Sequence, residues 1–330
     1  MTHFAHVVNP FQVDENSSMA QVQAITYESM RVAQNIAANW CGPGGSHQVD
    51  FVSVQYPEDH SAVPPAFEMT PDLDRDVTTV ATFQRSRRLP LLRDILDRLY
   101  DAAPEADYLI YTNVDINLQP NFYVAAAALA AQGYDAFAIN RRNISDVYTR
   151  VEELPLMYAE VGQQTPGYDC LIYRRELHPR FDVGDVCIGA AFVGRMLLLN
   201  MAYHAKKFRV VESANLTFHI GDDPEWVKPE YADYTDHNIR EFRQMYARLN
   251  AQFGPFDPTT ESFWLTRWRD RHWVDFDPHS SYLINAVPTY EVRRRQDEDV
   301  RRKAEKAANI PFSKKVSGKL RRIWRAIIGD

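Results

Sequence analysis

Apolar and polar residues fall into short alternating blocks along the first 140 positions. Phe4 to Val8 is a buried-type run that exits through a turn at Asn9-Pro10. Ser17 and Ser18 offer caps to a helix reaching about Asn39. Val49 to Tyr56 reads as a second strand, and residues 57–75 as a Pro-rich, acidic surface loop. The β-branched stretch Val77 to Phe83 predicts a third strand. Apolar positions 89, 92, 95, 96 and 99 then form a helical stripe within Leu89–Ala103. Tyr108 to Tyr111 is a strand, Phe122 to Gln132 an Ala-rich helix stopped by Gly133, and Tyr134 to Asn140 another strand. Strands separated by helices in this order predict a mostly parallel α/β sheet with helices on both faces.

The second half is less regular. Residues 141–167 are polar, with a helix near 151–161, and suit an acceptor cleft. Tyr168 to Tyr173 predicts a strand, Cys187 to Ala205 a long apolar helix, and 208–211 and 215–220 the last strand-like pieces. Trp264, Trp268 and Trp273 fit a region, 224–292, packed back onto the sheet as a C-terminal extension. Residues 293–306 read as a charged linker helix. Beyond it, Val316, Leu320, Ile323, Trp324, Ile327 and Ile328 share a helical face opposite six Lys and Arg residues. The organisation predicted is 1–223 as the main α/β domain, 224–292 as the extension and 293–330 as a basic tail.

Composition narrows the function classes. The 330 residues are 45% hydrophobic and 25% charged, ordinary for a globular protein. No apolar run approaches the roughly 20 residues of a membrane span, and no basic-then-apolar leader is visible. Cys41, Cys170 and Cys187 lack CxxC spacing, which predicts reduced, buried thiols in a cytoplasm. Charge is uneven: residues 293–330 hold 13 Lys and Arg against 5 Asp and Glu, while the rest holds 24 against 39. An acidic body argues against nucleic acid as a partner. The basic amphipathic tail predicts peripheral contact with an anionic membrane surface, or a helix docked on the body of the protein or on a dimer partner.

Candidate chemistry centres on Asn113, Asp115 and Asn117, spaced two apart after the buried strand 108–111. In extended backbone such residues share a face, and an oxygen cluster suits Mg²⁺ or Mn²⁺. The competing roles are a turn residue for Asp115 and a helix cap for Asn117. Arg85, Arg87 and Arg88 occupy an expected strand-to-helix junction, where arginine grips a diphosphate or forms a solvated basic turn. There is no GxGxxG after a strand and no GxxxxGK[ST].

The order of elements, with Asn113-Val-Asp115 after a central strand, resembles the GT-A fold nucleotide-sugar-dependent glycosyltransferases over roughly residues 3–223. That resemblance implies a Rossmann-like sheet and a divalent metal, Mn²⁺ or Mg²⁺, held at the Asp-x-Asp position. Here the first Asp is Asn113, so Asp115 is the main metal candidate, with Asn117 beside it. It further implies His219 as a late metal ligand and Asp185, backed by Asp182, as the catalytic base; helix capping is the alternative for Asp185. Val8 and Asn9 would face the base and ribose of a nucleoside-diphosphate sugar. The acceptor implied is a glycan or lipid-linked glycan, as in polysaccharide biosynthesis. Two other activities remain compatible with the residues: a non-catalytic glycan- or partner-binding protein, and a nucleotidyltransferase.

Overall fold

In the computed structural model, residues 1–164, 168–211, 214–221, 229 and 232–254 are described. They belong to one unit, Met1–Ile284; a second unit, Asn285–Asp330, lies outside the described residues, as do the three tryptophans and the basic tail. In chain order the elements are β1 (His3–Val8), α1 (Ser18–Ala38), β2 (Gln48–Ser53), β3 (Glu68–Met69), α2 (Leu92–Ala102) and β4 (Tyr108–Thr112). Next come β5 (Asn117–Leu118), α3 (Phe122–Ala131), β6 (Ala136–Ile139), β7 (Arg142–Ile144), α4 (Leu154–Ala159) and β8 (Gln163–Gln164). The last are β9 (Cys170–Arg174), α5 (Val193–His204), β10 (Phe208–Val211), β11 (Thr217–Ile220) and α6 (Ala232–Phe253).

Seven strands form the main sheet in the order β10-β6-β9-β4-β1-β2-β3. All its pairings are parallel except those of β9, which runs antiparallel between β4 and β6. Phe4, Val8, Phe51, Ile110 and Phe137 build one core with Met30 and Ala33 of α1 and Phe122 and Ala126 of α3. Ala5, Val7, Leu109 and Tyr111 are buried as well. Successive strand residues face opposite ways, so these point to the other face, where α2 packs on β1 and β4 and α5 on β6 and β9. The α/β sheet with two covered faces is the one the alternation predicts. The Ser17 side chain caps α1 by accepting from the Ala20 amide at 3.2 Å, as expected. After the sheet, α6 packs on α5, with Phe242 against Phe192 at 5.2 Å.

Four local expectations are corrected. Val77 to Phe83 is not a strand. Asp76 accepts from the Thr78 amide at 2.7 Å and starts a short 3-10 turn at Val77–Thr79, while Val77 and Phe83 pack with Leu91, Cys187 and Tyr234. The third strand is instead Glu68–Met69, inside the stretch expected to be loop. The helix expected from Cys187 begins only at Val193. Cys187 pairs with Leu91 and is held by Asn238 of α6, and Phe192 takes a left-handed φ of 81°. Finally, Cys41 is exposed, whereas Cys170 and Cys187 are buried as expected.

Candidate functional site

The strand order contains a switch point. From β1 the sheet grows to β2 and β3 on one side, and the chain then crosses to place β4 on the other. In open α/β sheets the crevice beyond the carboxyl ends of two such strands is where ligands bind. Val7 pairs with Tyr111, so Val8 and Asn9 come level with Thr112 and Asn113 at that edge. Asn9 is buried there, its Nδ2 donating to the Val54 carbonyl at 2.6 Å.

Past β4 the backbone does not stay extended. The Ile116 amide donates to the Asn113 carbonyl at 3.2 Å, closing a turn over 113–116. Alternation therefore fails, and the three polar side chains do not converge. Asn113 accepts from the Tyr111 hydroxyl at 2.9 Å. Asn117 is fully buried at the start of β5; its Oδ1 accepts from Thr26 Oγ1 of α1 at 3.3 Å and its Nδ2 donates to the Phe218 carbonyl at 3.3 Å. The Asn117 amide thus ties α1 to a second, four-stranded sheet of order β5-β11-β7-β8.

That second sheet delivers His219. Phe218 pairs antiparallel with Asn117, so the next residue, His219, comes beside Ile116 and reaches Asp115. His219 Nε2 is 3.4 Å from Asp115 Oδ2, and Nδ1 is 3.0 Å from the Gly221 carbonyl. The other carboxylate oxygen, Asp115 Oδ1, is buried and has no hydrogen-bond partner among the described residues. Burial disfavours charge on both groups, but their mutual attraction outweighs it. The Asp115 carboxyl is held below its usual value, aided by the Arg141 charge, and the His219 imidazole is raised above its own.

Two further charges stand near this pair: Arg141, from the stretch expected to line a cleft, and Asp169, which did not stand out in the sequence. Arg141 follows β6 by two residues, and Asp169 immediately precedes β9. Cys170 of β9 pairs with Thr112 of β4 and with Ile139 of β6, so the antiparallel strand carries Asp169 to the carboxyl edge of its parallel neighbours. There Arg141 Nη1 lies 2.9 Å from Asp169 Oδ2. Burial raises the Asp169 carboxyl, with Asp115 adding to the rise and Arg141 opposing it. The signal available was a charge set directly against each end of an apolar strand, Asn140-Arg141 after 136–139 and Asp169 before 170–173. Among the described residues no three His, Cys, Asp or Glu side chains are grouped as a metal cage.

The remaining expected site residues stand elsewhere. Arg88 lies over the Tyr56 ring at 3.9 Å, is ion-paired with Glu58 and is 3.6 Å from Asp76. The Arg85 carbonyl accepts from the Tyr234 hydroxyl at 2.6 Å, and the Arg87 carbonyl accepts from the Leu89 amide. These arginines precede Leu91 and α2 in a loop, not at a strand-to-helix junction. Asp182 is gripped by the Arg248 guanidinium of α6 at 2.5 and 3.0 Å. Burial acts to raise its carboxyl, yet Arg248 holds it below the usual range. The Asp185 backbone joins the loop to the same helix: its amide donates to Glu241 and its carbonyl accepts from His237 at 2.8 Å.

The fold is GT-A-like. It joins a two-faced, mostly parallel sheet to a carboxyl edge bearing Asn9, Asn113 and Asp115. No family model matches the sequence, and no curated protein matches it. Solved structures with distant likeness include TarS from S. aureus in complex with UDP-GlcNAc, at 10% identity and TM-score 0.44, covering 88% of this chain and 80% of that one. Glucosyl-3-phosphoglycerate synthase from Mycobacterium tuberculosis, in complex with phosphoglyceric acid, is 16% identical with TM-score 0.36, over 78% of this chain and 82% of that one. 4-diphosphocytidyl-2C-methyl-D-erythritolsynthase from Anaerococcus prevotii is 10% identical with TM-score 0.33, over 76% and 99%.

Proposed function

We propose that the chain transfers a glycosyl group from a nucleoside-diphosphate sugar to a glycan or lipid-linked acceptor, assisted by a divalent cation. The observation that carries this reading is the Asp115 carboxylate at the switch-point edge, one oxygen buried without a partner among the described residues and the other facing His219. The donor set suits a hard cation. Mg²⁺ commonly takes one or two protein ligands and fills its shell with water and substrate phosphate. A metal-ligating histidine usually donates its other ring N–H to a carbonyl, and His219 Nδ1 faces the Gly221 carbonyl. Asp115 and His219 would hold the ion, which when bound supplies charge for the departing diphosphate. Asn117, with its amide engaged between α1 and β11, is left out of the ligand set.

In this proposal Asn9 lies on the nucleoside side of the crevice, and Val8, buried in the core, only supports the end of the strand that carries it. Asp185 is the base that takes the acceptor hydroxyl's proton. Asp182, held by Arg248, supports the loop that carries it.

The test is incubation with a panel of nucleotide sugars and Mn²⁺, scored for nucleoside diphosphate release. Asp115→Ala is expected to abolish release. Asp185→Asn is expected to slow transfer at least a hundredfold while leaving donor affinity unchanged. The Asn at 113 favours a second reading, a binding protein without turnover. Donor binding with no release under any acceptor would establish it, and pyrophosphate released from a nucleoside triphosphate would identify a nucleotidyltransferase instead.

A further inference from the structure

We propose that Glu241 of α6 is the positioning residue for Asp185. The inference rests on the glycosyl-transfer reading above and adds to it the helix that aims the base. A general base works only within hydrogen-bond reach of its proton, so the backbone that carries it must be fixed. α2 ends shortly before β4 begins, so its last turn lies at the amino edge of the sheet and its first at the carboxyl edge. There the Leu92 amide donates to the Val186 carbonyl at 2.9 Å, and the Ile188 amide to the Pro90 carbonyl at 3.0 Å. Asp185 is therefore carried at the same edge of the sheet as Asp115.

α6 grips the same segment. The Asp185 amide donates to Glu241 Oε2 at 3.0 Å, and His237 Nε2 donates to the Asp185 carbonyl at 2.8 Å. The buried Asn238 side chain accepts from the Cys187 amide and donates to its carbonyl, both at 2.9 Å. Both backbone groups of Asp185 are thus engaged. Its half-buried carboxylate has no hydrogen bond and no ion pair among the described residues. A helix cap would spend that carboxylate on backbone amides, whereas a base must keep it free. The turn before it is shaped for the Glu241 contact. Gly184 has a φ of 53°, and a Cβ there would come within 2.7 Å of Glu241 Oε2. An ionised acceptor also holds an amide more strongly than a neutral one.

Steady-state kinetics with Mn²⁺ and the panel donor that releases most nucleoside diphosphate test this, with Asp185→Asn measured alongside. Glu241→Ala is expected to lower kcat about tenfold or more while changing the donor KM less than twofold; the retained KM reports a folded site. Glu241→Gln keeps a carbonyl oxygen for the Asp185 amide and should recover most of the loss. Gly184→Ala, which drives a methyl against Glu241, should lower kcat as Glu241→Ala does. Hydrogen exchange of the 182–188 backbone should quicken in Glu241→Ala and not in Glu241→Gln. Wild-type kcat in Glu241→Ala, or Glu241→Gln no faster than Glu241→Ala, overturns the inference; with Asp185→Asn slow, the glycosyl-transfer reading still stands. Asp185→Asn turning over like wild type overturns Asp185 as the base and this inference with it. Wild-type protein that releases no nucleoside diphosphate from any donor overturns both.

Discussion

Both ring nitrogens of His6 face hydroxyls inside the sheet: Tyr123 at 2.8 Å and Thr112 Oγ1 at 2.9 Å. Burial pushes its pKa from 6.5 down to about 3. The folded chain keeps it neutral at pH values where the unfolded chain protonates it. Between pH 6.5 and 3 the unfolded state therefore binds more protons, so stability falls as the pH drops through that window and is unaffected by His6 above it. The slope approaches about 1.4 kcal/mol per pH unit. Urea unfolding at pH 7, 6 and 5 should show His6→Gln less stable than wild type at pH 7 but with the gap narrowing at pH 5. A constant gap would contradict the burial argument. Residue chemistry elsewhere was legible only in part. Asp115 and His219 were named from type and position, whereas Arg141 and Asp169, 28 positions apart, are brought together only across β6 and β9.

Elements are held in place by a few close contacts. Gly194 opens α5 against β9, and a Cβ there would come within 2.6 Å of the Tyr168 carbonyl oxygen. In an ordinary helix interior Gly→Ala stabilises by roughly 0.5–1 kcal/mol. Here the obstacle is backbone, so Gly194→Ala is expected to destabilise by about 1–3 kcal/mol, measured as a lower melting temperature, and to loosen the segment leading to Asp169. A rise in melting temperature would show that the helix can shift. The existence of β1, α1, α2, β4 and α3 followed from apolar runs, the Ser17 and Ser18 caps, the helical stripe of 89–99 and the Ala-rich stretch before Gly133. The failures were at 77–83 and 113–117, where Asp76 and the 113–116 turn capture the backbone with local hydrogen bonds that β-propensity does not register.

Charge distribution acts on the whole molecule. Among the described residues no helix is long and apolar enough to cross a membrane. The tail at 293–330 carries a net charge of +8 against −15 for the rest, from 13 and 5 charged residues of each sign against 24 and 39. We infer that the tail holds the protein on anionic lipid, as suits a lipid-linked acceptor. Removing residues 312–330 should reduce sedimentation with phosphatidylglycerol vesicles at least tenfold, with turnover on a soluble acceptor unchanged. Equal sedimentation of the shortened and full chains would refute the tail's role.

The sequence by itself determined the alternating layers, the carboxyl-end position of Asp115 and the charge imbalance, because each depends on residues adjacent in the chain or on simple counts. Only the tertiary structure decided that β9 runs antiparallel, that Asn117 is structural, and that Arg141 and Asp169 meet as an ion pair at the strand ends. Periodicity reports which side of a segment is buried. Strand direction and side-chain partners are set by contacts between segments tens of residues apart, and no local pattern records them.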